Sequence, residues 1–302
     1  MKLLTFTENE QNRLGIFTEQ GVLHVDRAAA ALYPQGHTIP LQVMDAISAG
    51  NSAIEQLQQL AADTLASPEA SMYLSSQSDL ELEPCVTNPG KIICVGLNYR
   101  KHAEETNAPI PSFPILFNKF SNTLTADGKD VTLPSAVTSQ VDYEAELVIV
   151  IGKTAKNVDK ANALDHVFGY CCVNDLSARD LQMRTSQWLL GKCCDGFSPL
   201  GPYLVTADEV GNPNDLQIKC TVNGEVRQSS NTSDMIFHCD EIVSYISKHM
   251  TLSPGDIILT GTPEGVVLGY PEDKQVWLKD GDIVTIEIEK LGSLTNRMVD
   301  PS

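Results

Sequence analysis

The stretch Asp142-Tyr143-Glu144-Ala145-Glu146-Leu147-Val148-Ile149-Val150-Ile151-Gly152 places acids at alternate positions in the first half of an apolar, strand-like run. In an extended chain, residues two apart share a face, so Asp142, Glu144 and Glu146 point the same way, followed there by Val148 and Val150. Leu147, Ile149 and Ile151 fill the opposite face, so both faces read as buried. An unpaired buried carboxylate is heavily penalised, and like-charged neighbours raise the penalty. No Lys or Arg lies between Gln140 and Gly152. The acids therefore call for a hard divalent cation held through oxygen, a distant Arg or Lys, or a strand whose first half emerges into solvent.

At 302 residues, 42% of them hydrophobic, the chain is long enough for one large domain or a large domain with a small one. Its apolar runs fall far short of the roughly 20 residues that cross a bilayer, so no membrane partner is expected. The start, Met1-Lys2-Leu3-Leu4-Thr5-Phe6-Thr7-Glu8, turns polar before a secretory segment could develop and lacks the Arg-rich character of a transit peptide, which points to the cytoplasm. Thirty-nine acids against 21 Lys and Arg give a net charge of -18, which repels nucleic acid. An anionic small substrate would feel the same field and needs local cations. Eight cysteines without a C-x-x-C spacing read as reduced core thiols rather than a zinc site or disulfide scaffold.

Short apolar segments at 2–6, 13–17 and 22–25 predict a small antiparallel sheet, and apolar spacing of three and four predicts helices over 41–47 and 54–65. A polar stretch, 67–79, then suggests a boundary between a small amino-terminal α+β domain, 1–78, and a main domain, 79–302. Beyond it strands dominate: 91–95, 147–151, 167–173, 218–222, 256–260 and 283–289, punctuated by turn dipeptides such as Asn223-Gly224. Helices are expected at 100–106, 177–188 and 240–249. The fold class is α+β, predominantly β.

Three further segments carry chemistry. Asp175 closes an apolar strand, and Ser177-Ala178-Arg179-Asp180 after it fits a capping-box-like pattern, placing Asp175 at a strand-to-helix junction with Arg179 and Gln182 on one helical face. After the strand ending at Gly96, His102 and Glu105 share a face of a short helix. A carboxylate beside an imidazole raises its basicity and fixes its tautomer, as a general base requires, although the same spacing also makes exposed ion pairs. The helix has almost no apolar face and is expected to be a mobile lid. Lys192 follows Gly191 in a Trp-flanked loop.

Taken together, Gly96-Leu97-Asn98-Tyr99 with His102 and Glu105, Asp142-Tyr143-Glu144-Ala145-Glu146-Leu147, Val173-Asn174-Asp175 with Arg179 and Gln182, Gly191-Lys192 and Gly261-Thr262-Pro263-Glu264-Gly265-Val266 resemble the fumarylacetoacetate hydrolase family. The resemblance covers about residues 85–299, closest to its 2-oxo acid decarboxylase branch. It implies a mixed β-roll catalytic domain, a homodimer, and Mg2+ or Mn2+ held by Glu144, Glu146 and Asp175. It implies that His102 and Glu105 form a water-activating or proton-transferring dyad on a mobile lid, and that Arg179, Gln182, Lys192 and Thr262 contact the substrate or stabilise its developing enolate, Lys192 counting with the dyad as catalytic. Asp142 also matches a family position but is not assigned as a ligand. Cys193-Cys194 departs from the family, whose members often carry an aromatic or other larger residue after the lysine.

The implied substrate is a small 2-oxo acid, and the implied reaction C-C hydrolysis of the acylpyruvate type through a metal-bound enolate. The same enolate serves oxaloacetate-type decarboxylation and keto-enol tautomerisation, which stand as alternatives. A non-catalytic metal-dependent metabolite binder would need the three acids but no base, and the presence of His102 with Glu105 argues against it.

Overall fold

The strand expected from the acidic and apolar run lies at the centre of the molecule. In a computed structural model that describes residues 1–36 and 38–301, Ala145–Ile151 pairs antiparallel with Val167–Asn174 on one side and with Ile257–Leu259 on the other. Leu147, Ile149 and Ile151 enter one apolar core, and Val148 and Val150 enter a second on the opposite face. Burial on both faces explains why the run lacks polar alternation beyond Glu146.

A twelve-stranded sheet grows outward from this strand. Val167–Asn174 pairs with Ser198–Thr206, which pairs in turn with Lys2–Glu8 of the amino-terminal meander Lys2–Glu8, Gln11–Thr18 and Gly21–His24. On the other side Ile257–Leu259 runs parallel to Ile92–Gly96, which pairs with the edge strand Ile115–Lys119. The boundary expected near residue 78 falls just before Glu81–Glu83, a strand that pairs back onto Lys2–Glu8.

The helices Val25–Leu32, Val43–Ala49 and Asn51–Ala66 cover one face of the sheet, burying Ala28, Ile47, Leu57 and Leu60 with Val148, Val150 and Leu204. A five-stranded sheet, whose strands include Gln217–Val222, Ile283–Ile288 and Gly292–Val299, covers the other face together with the helix Cys239–His249. The Asn223-Gly224 turn forms as its composition predicts, with φ of 53° and 79°, the left-handed pair that a two-residue hairpin requires. The result is α+β and predominantly β.

One local expectation fails, and one helix forms where none was expected. No helix spans 177–188: Ser177–Ala178 is a short strand against Val141–Asp142, followed by two four-residue helices, Arg179–Gln182 and Leu189–Lys192. Ser177 Oγ donates to the Asp175 carbonyl and caps nothing, while Asp180 accepts from the Thr138 hydroxyl and the Leu181 amide. Thr185 Oγ1 accepts from Gln187 N and donates to Gln187 O, a local closure that competes with helix propagation. The helix Val25–Leu32 was not expected; its apolar stripe of Val25, Ala28 and Ala29 begins where the strand pattern ends.

Candidate active site

The register of two strands assembles the acids. Ala145 lies opposite Asn174 and Glu146 opposite Val173, so Glu144 and Asp175 flank the paired ends, tied by Asp175 N donating to Glu144 O (2.9 Å) and Glu144 N donating to Asn174 Oδ1 (3.0 Å). One carboxylate oxygen each from Glu144, Glu146 and Asp175 lies within 4.8 Å of the others, and all three side chains are buried. Asp142 does not join them. The strand is interrupted at Tyr143 and Glu144, so the common face expected for three alternate acids holds for two. Asp142 accepts instead from the amides of Tyr143, Val267 and Leu268 and from Arg179 Nε.

Buried cations meet most of this charge. Lys192 Nζ is 2.7 Å from both Glu144 Oε2 and Asp175 Oδ2, and Arg179 reaches Glu144 Oε1 at 2.7 Å and Asp142 Oδ2 at 2.9 Å. Lys119, fully buried at its side chain, donates to the other Asp175 oxygen at 2.5 Å and to the Phe197 carbonyl at 2.6 Å. Sequence reading missed Lys119. Its one signal is a lone charge closing a short strand-like run, Ile115-Leu116-Phe117-Asn118.

Among the described residues four acids thus face three cations, and the unmatched acid is Glu146, whose one donor there is the Gly261 amide at 2.8 Å. Burial, then the charges of Asp175 and Glu144, push the Glu146 carboxyl well above the usual range. Burial would push Glu144 up as well, but Lys192 and Arg179 outweigh it and hold Glu144 well below that range. The same acids keep Lys192 protonated against the effect of its own burial. Three hard oxygen donors around one excess negative charge fit a divalent cation such as Mg2+ or Mn2+.

The His102–Glu105 pair forms as the spacing predicts, with His102 Nδ1 donating to Glu105 Oε1 at 2.8 Å. A carboxylate can only accept, so Nδ1 carries the proton and Nε2 is left as the basic atom. The helix Arg100–Glu105 is docked more firmly than its composition suggested. Ala103 is fully buried and His102 is 6% exposed, while Lys101 N donates to Asp234.

One loop ties the two groups together. Its amides donate from Gly261 to Glu146, from Gly265 to Glu105 Oε2 (2.9 Å), and from Val267 and Leu268 to Asp142. Thr262 Oγ1 donates to the Ala145 carbonyl and accepts from Gln228 Nε2, so toward a ligand it can only accept. Gln228 Oε1 also accepts from Ala145 N, between the two glutamates, a tie that sequence reading missed. Gln182 Oε1 accepts from Arg179 Nη1 at 2.9 Å.

All nine residues expected at the site, His102, Glu105, Lys192, Arg179, Gln182, Thr262, Glu144, Glu146 and Asp175, are gathered here, and all but Asp175 line one cavity of about 590 Å³. Asp175 lies beneath it, bonded to Lys119 and Lys192. Cys193 and Cys194 line a separate groove and are half-exposed, unlike the other six cysteines, which are buried and free.

This arrangement has relatives. The family described as fumarylacetoacetate (FAA) hydrolase, C-terminal, matches residues 91–299. The chain is 40% identical to an oxaloacetate tautomerase of Xenopus laevis, a mitochondrial protein, over 99% of this chain and 90% of the relative. It is 41% identical to the oxaloacetate tautomerase YisK of Bacillus subtilis over 94% of each. Among solved structures, maleylpyruvate hydrolase from Sphingobium, in complex with manganese(II) ion and pyruvate, superimposes with a TM-score of 0.76 at 30% identity and full coverage of both chains. The chain is a member of the fumarylacetoacetate hydrolase family.

Proposed function

We propose that this protein is a divalent-cation-dependent enzyme that interconverts the enol and keto forms of oxaloacetate. The observation that carries the reading is the convergence of Glu144, Glu146 and Asp175 with the His102–Glu105 pair on one cavity. A Mg2+ or Mn2+ ion held by the three carboxylates would, when bound, polarise the 2-oxo group and acidify the neighbouring C-H. His102 Nε2 then exchanges the proton at C3, with Glu105 holding the ring in the tautomer that leaves this atom basic. Lys192 lines the cavity, where an ammonium stabilises negative charge developing on the 2-oxo oxygen. Arg179 and Gln182 orient the substrate carboxylate.

Sequence reading placed C-C hydrolysis first. Two relatives matched over at least nine-tenths of each chain are oxaloacetate tautomerases, which favours the simpler proton transfer. Hydrolysis stays the second reading because of the likeness to maleylpyruvate hydrolase. Loss of the oxaloacetate enol absorbance, measured with Mn2+ present, tests the proposal. His102→Ala should lose at least about 10²-fold in turnover while still binding Mn2+ and oxalate. Wild-type turnover by the variant would remove His102 from the chemistry, and faster cleavage of acylpyruvates than tautomerisation would favour hydrolysis. We also propose a homodimer, supported by the acid-free apolar face beside the edge strand Ile115–Lys119.

A further inference from the structure

The cavity has a mixed lining. Charged residues, Glu144, Glu146, Arg179 and Lys192, share its lining with the apolar Leu97, Phe117, Met183, Trp188, Leu268 and Pro271. Trp188 meets Phe117 edge to face, with centroids 5.3 Å apart and planes at 72°. The indole lies over Gly96, where a Cβ would fall 2.5 Å from it, so the glycine makes room for this placement. Met183, at the rim, is 66% exposed. Apolar side chains held half-open around a pocket gain by contact with an apolar group.

One cation faces this corner, Lys192, whose Nζ lies 5.3 Å from the Phe117 ring centroid, but its charge is already met by Glu144 and Asp175. Arg179 is engaged at Nε by Asp142, at Nη2 by Glu144 and at Nη1 by Gln182, and Lys192 is engaged by Glu144 and Asp175. The cavity is lined by no other Lys or Arg among the described residues. A charged substituent at the corner would lose water without gaining a partner, so the second carboxylate of oxaloacetate stays beside Arg179 and the bound ion, whereas an aromatic ring gains by burying apolar surface at the corner. At about 590 Å³ the cavity falls within the ligand-pocket range and exceeds what a four-carbon diacid fills.

Resting on the tautomerase reading, we infer that the enzyme also accepts 2-oxo acids that carry an aromatic ring on C3, phenylpyruvate being the simplest. In the ketonising direction His102 Nε2 takes the enol proton, the O-H electron pair closes the C2-O double bond, and the C2-C3 π pair takes that proton back to form a new C3-H bond. The proton on carbon is delivered by His102, and no oxidant, reductant or second substrate enters. The charged residues take the 2-oxo acid end, common to both substrates, and the Phe117–Trp188 corner takes the ring.

Ketonisation of phenylpyruvate enol and oxaloacetate enol, each followed by loss of enol absorbance with and without Mn2+, tests this inference. Both should turn over only with the metal. Met183→Glu, at an exposed position that folding does not depend on, should lower the phenylpyruvate-to-oxaloacetate ratio of kcat/KM by at least about tenfold, mainly through KM. Trp188→Ala should shift the ratio in the same direction. Turnover of oxaloacetate alone overturns the inference and leaves the tautomerase reading standing. Turnover of phenylpyruvate alone sustains the inference and overturns oxaloacetate as the substrate. Turnover of neither overturns both, and an unchanged ratio in Met183→Glu overturns the apolar corner as the ring's site.

Discussion

Glu146 is the acid left without a cation, and its neighbours show why the imbalance is useful. Lys192, Arg179 and Lys119 neutralise Asp142, Glu144 and Asp175, which keeps the cluster folded, while the excess charge at Glu146 remains for an ion to satisfy. Glu146→Gln removes that charge with little change of shape and preserves an oxygen for the Gly261 amide. The variant should melt at or above the wild-type temperature in chelator, yet lose Mn2+ affinity by more than the roughly 10- to 100-fold typical of outer-shell substitutions. Calorimetric titration beside a thermal melt separates the two effects, and a fall in melting temperature would show that Glu146 has a structural partner instead.

At the scale of elements, the loop from Gly261 to Gly269 sets the distance between acids and base. Gly269 permits this because a Cβ there would come within 2.5 Å of the Glu105 carboxylate, the flexible end of a side chain. Gly269→Ala should therefore leave the melting temperature nearly unchanged and lower kcat more than it raises KM, because Glu105 must swing away from His102. Steady-state kinetics on oxaloacetate enol check this, and unaltered kcat would free Glu105 from its orienting role.

The amino-terminal meander carries its own pH sensitivity. His24 is 1% exposed, with Nε2 2.8 Å from Ser75 Oγ and Nδ1 unpartnered among the described residues. Burial lowers its pKa below 6.5, Arg27 lowers it further, and Glu8 and Asp26 offset only part of this. The folded state thus holds the ring neutral while the unfolded chain takes up a proton near pH 6.5. Stability present above that value is lost as pH falls through it toward the lowered folded value. Urea midpoints should drop more steeply between about pH 7 and pH 5 for the wild type than for His24→Gln, and parallel curves would assign acid sensitivity elsewhere.

Over the whole molecule, a net charge of -18 makes two copies repel, except where acids are missing. Residues 106–126 and 181–194 contain no Asp or Glu, and they display Phe113, Phe120 and Leu190, each more than half exposed, beside the edge strand Ile115–Lys119. Large apolar side chains beside an open sheet edge mark a self-association face. Sedimentation equilibrium should give twice the 32.9 kDa chain mass for the wild type and the single-chain mass for Phe120→Asp/Leu190→Asp. A dimer that survives the double substitution would place the interface elsewhere. Lys119 and Lys192 end elements that carry this face, so docking there would also steady the two ammonium groups on Asp175.

Local pattern was enough for the central strand, its two apolar faces, the Asn223-Gly224 hairpin and the His102–Glu105 pair, because each depends on residues within a few positions of one another. The ordered motifs also pointed to the residues of the candidate site and to the family. Tertiary structure alone decided how the buried charges are matched. Lys119 lies 56 residues from Asp175 in sequence, Arg179 divides its guanidinium between Asp142 and Glu144, and the break at Tyr143 and Glu144 turns Asp142 away from the other acids. The helix expected over 177–188 dissolved for a similar reason, with Arg179 drawn into the charge cluster and Thr185 closing on its own backbone. Charge pairing in a low-dielectric interior depends on distances that sheet register and loop packing set, and neither spacing nor composition encodes them.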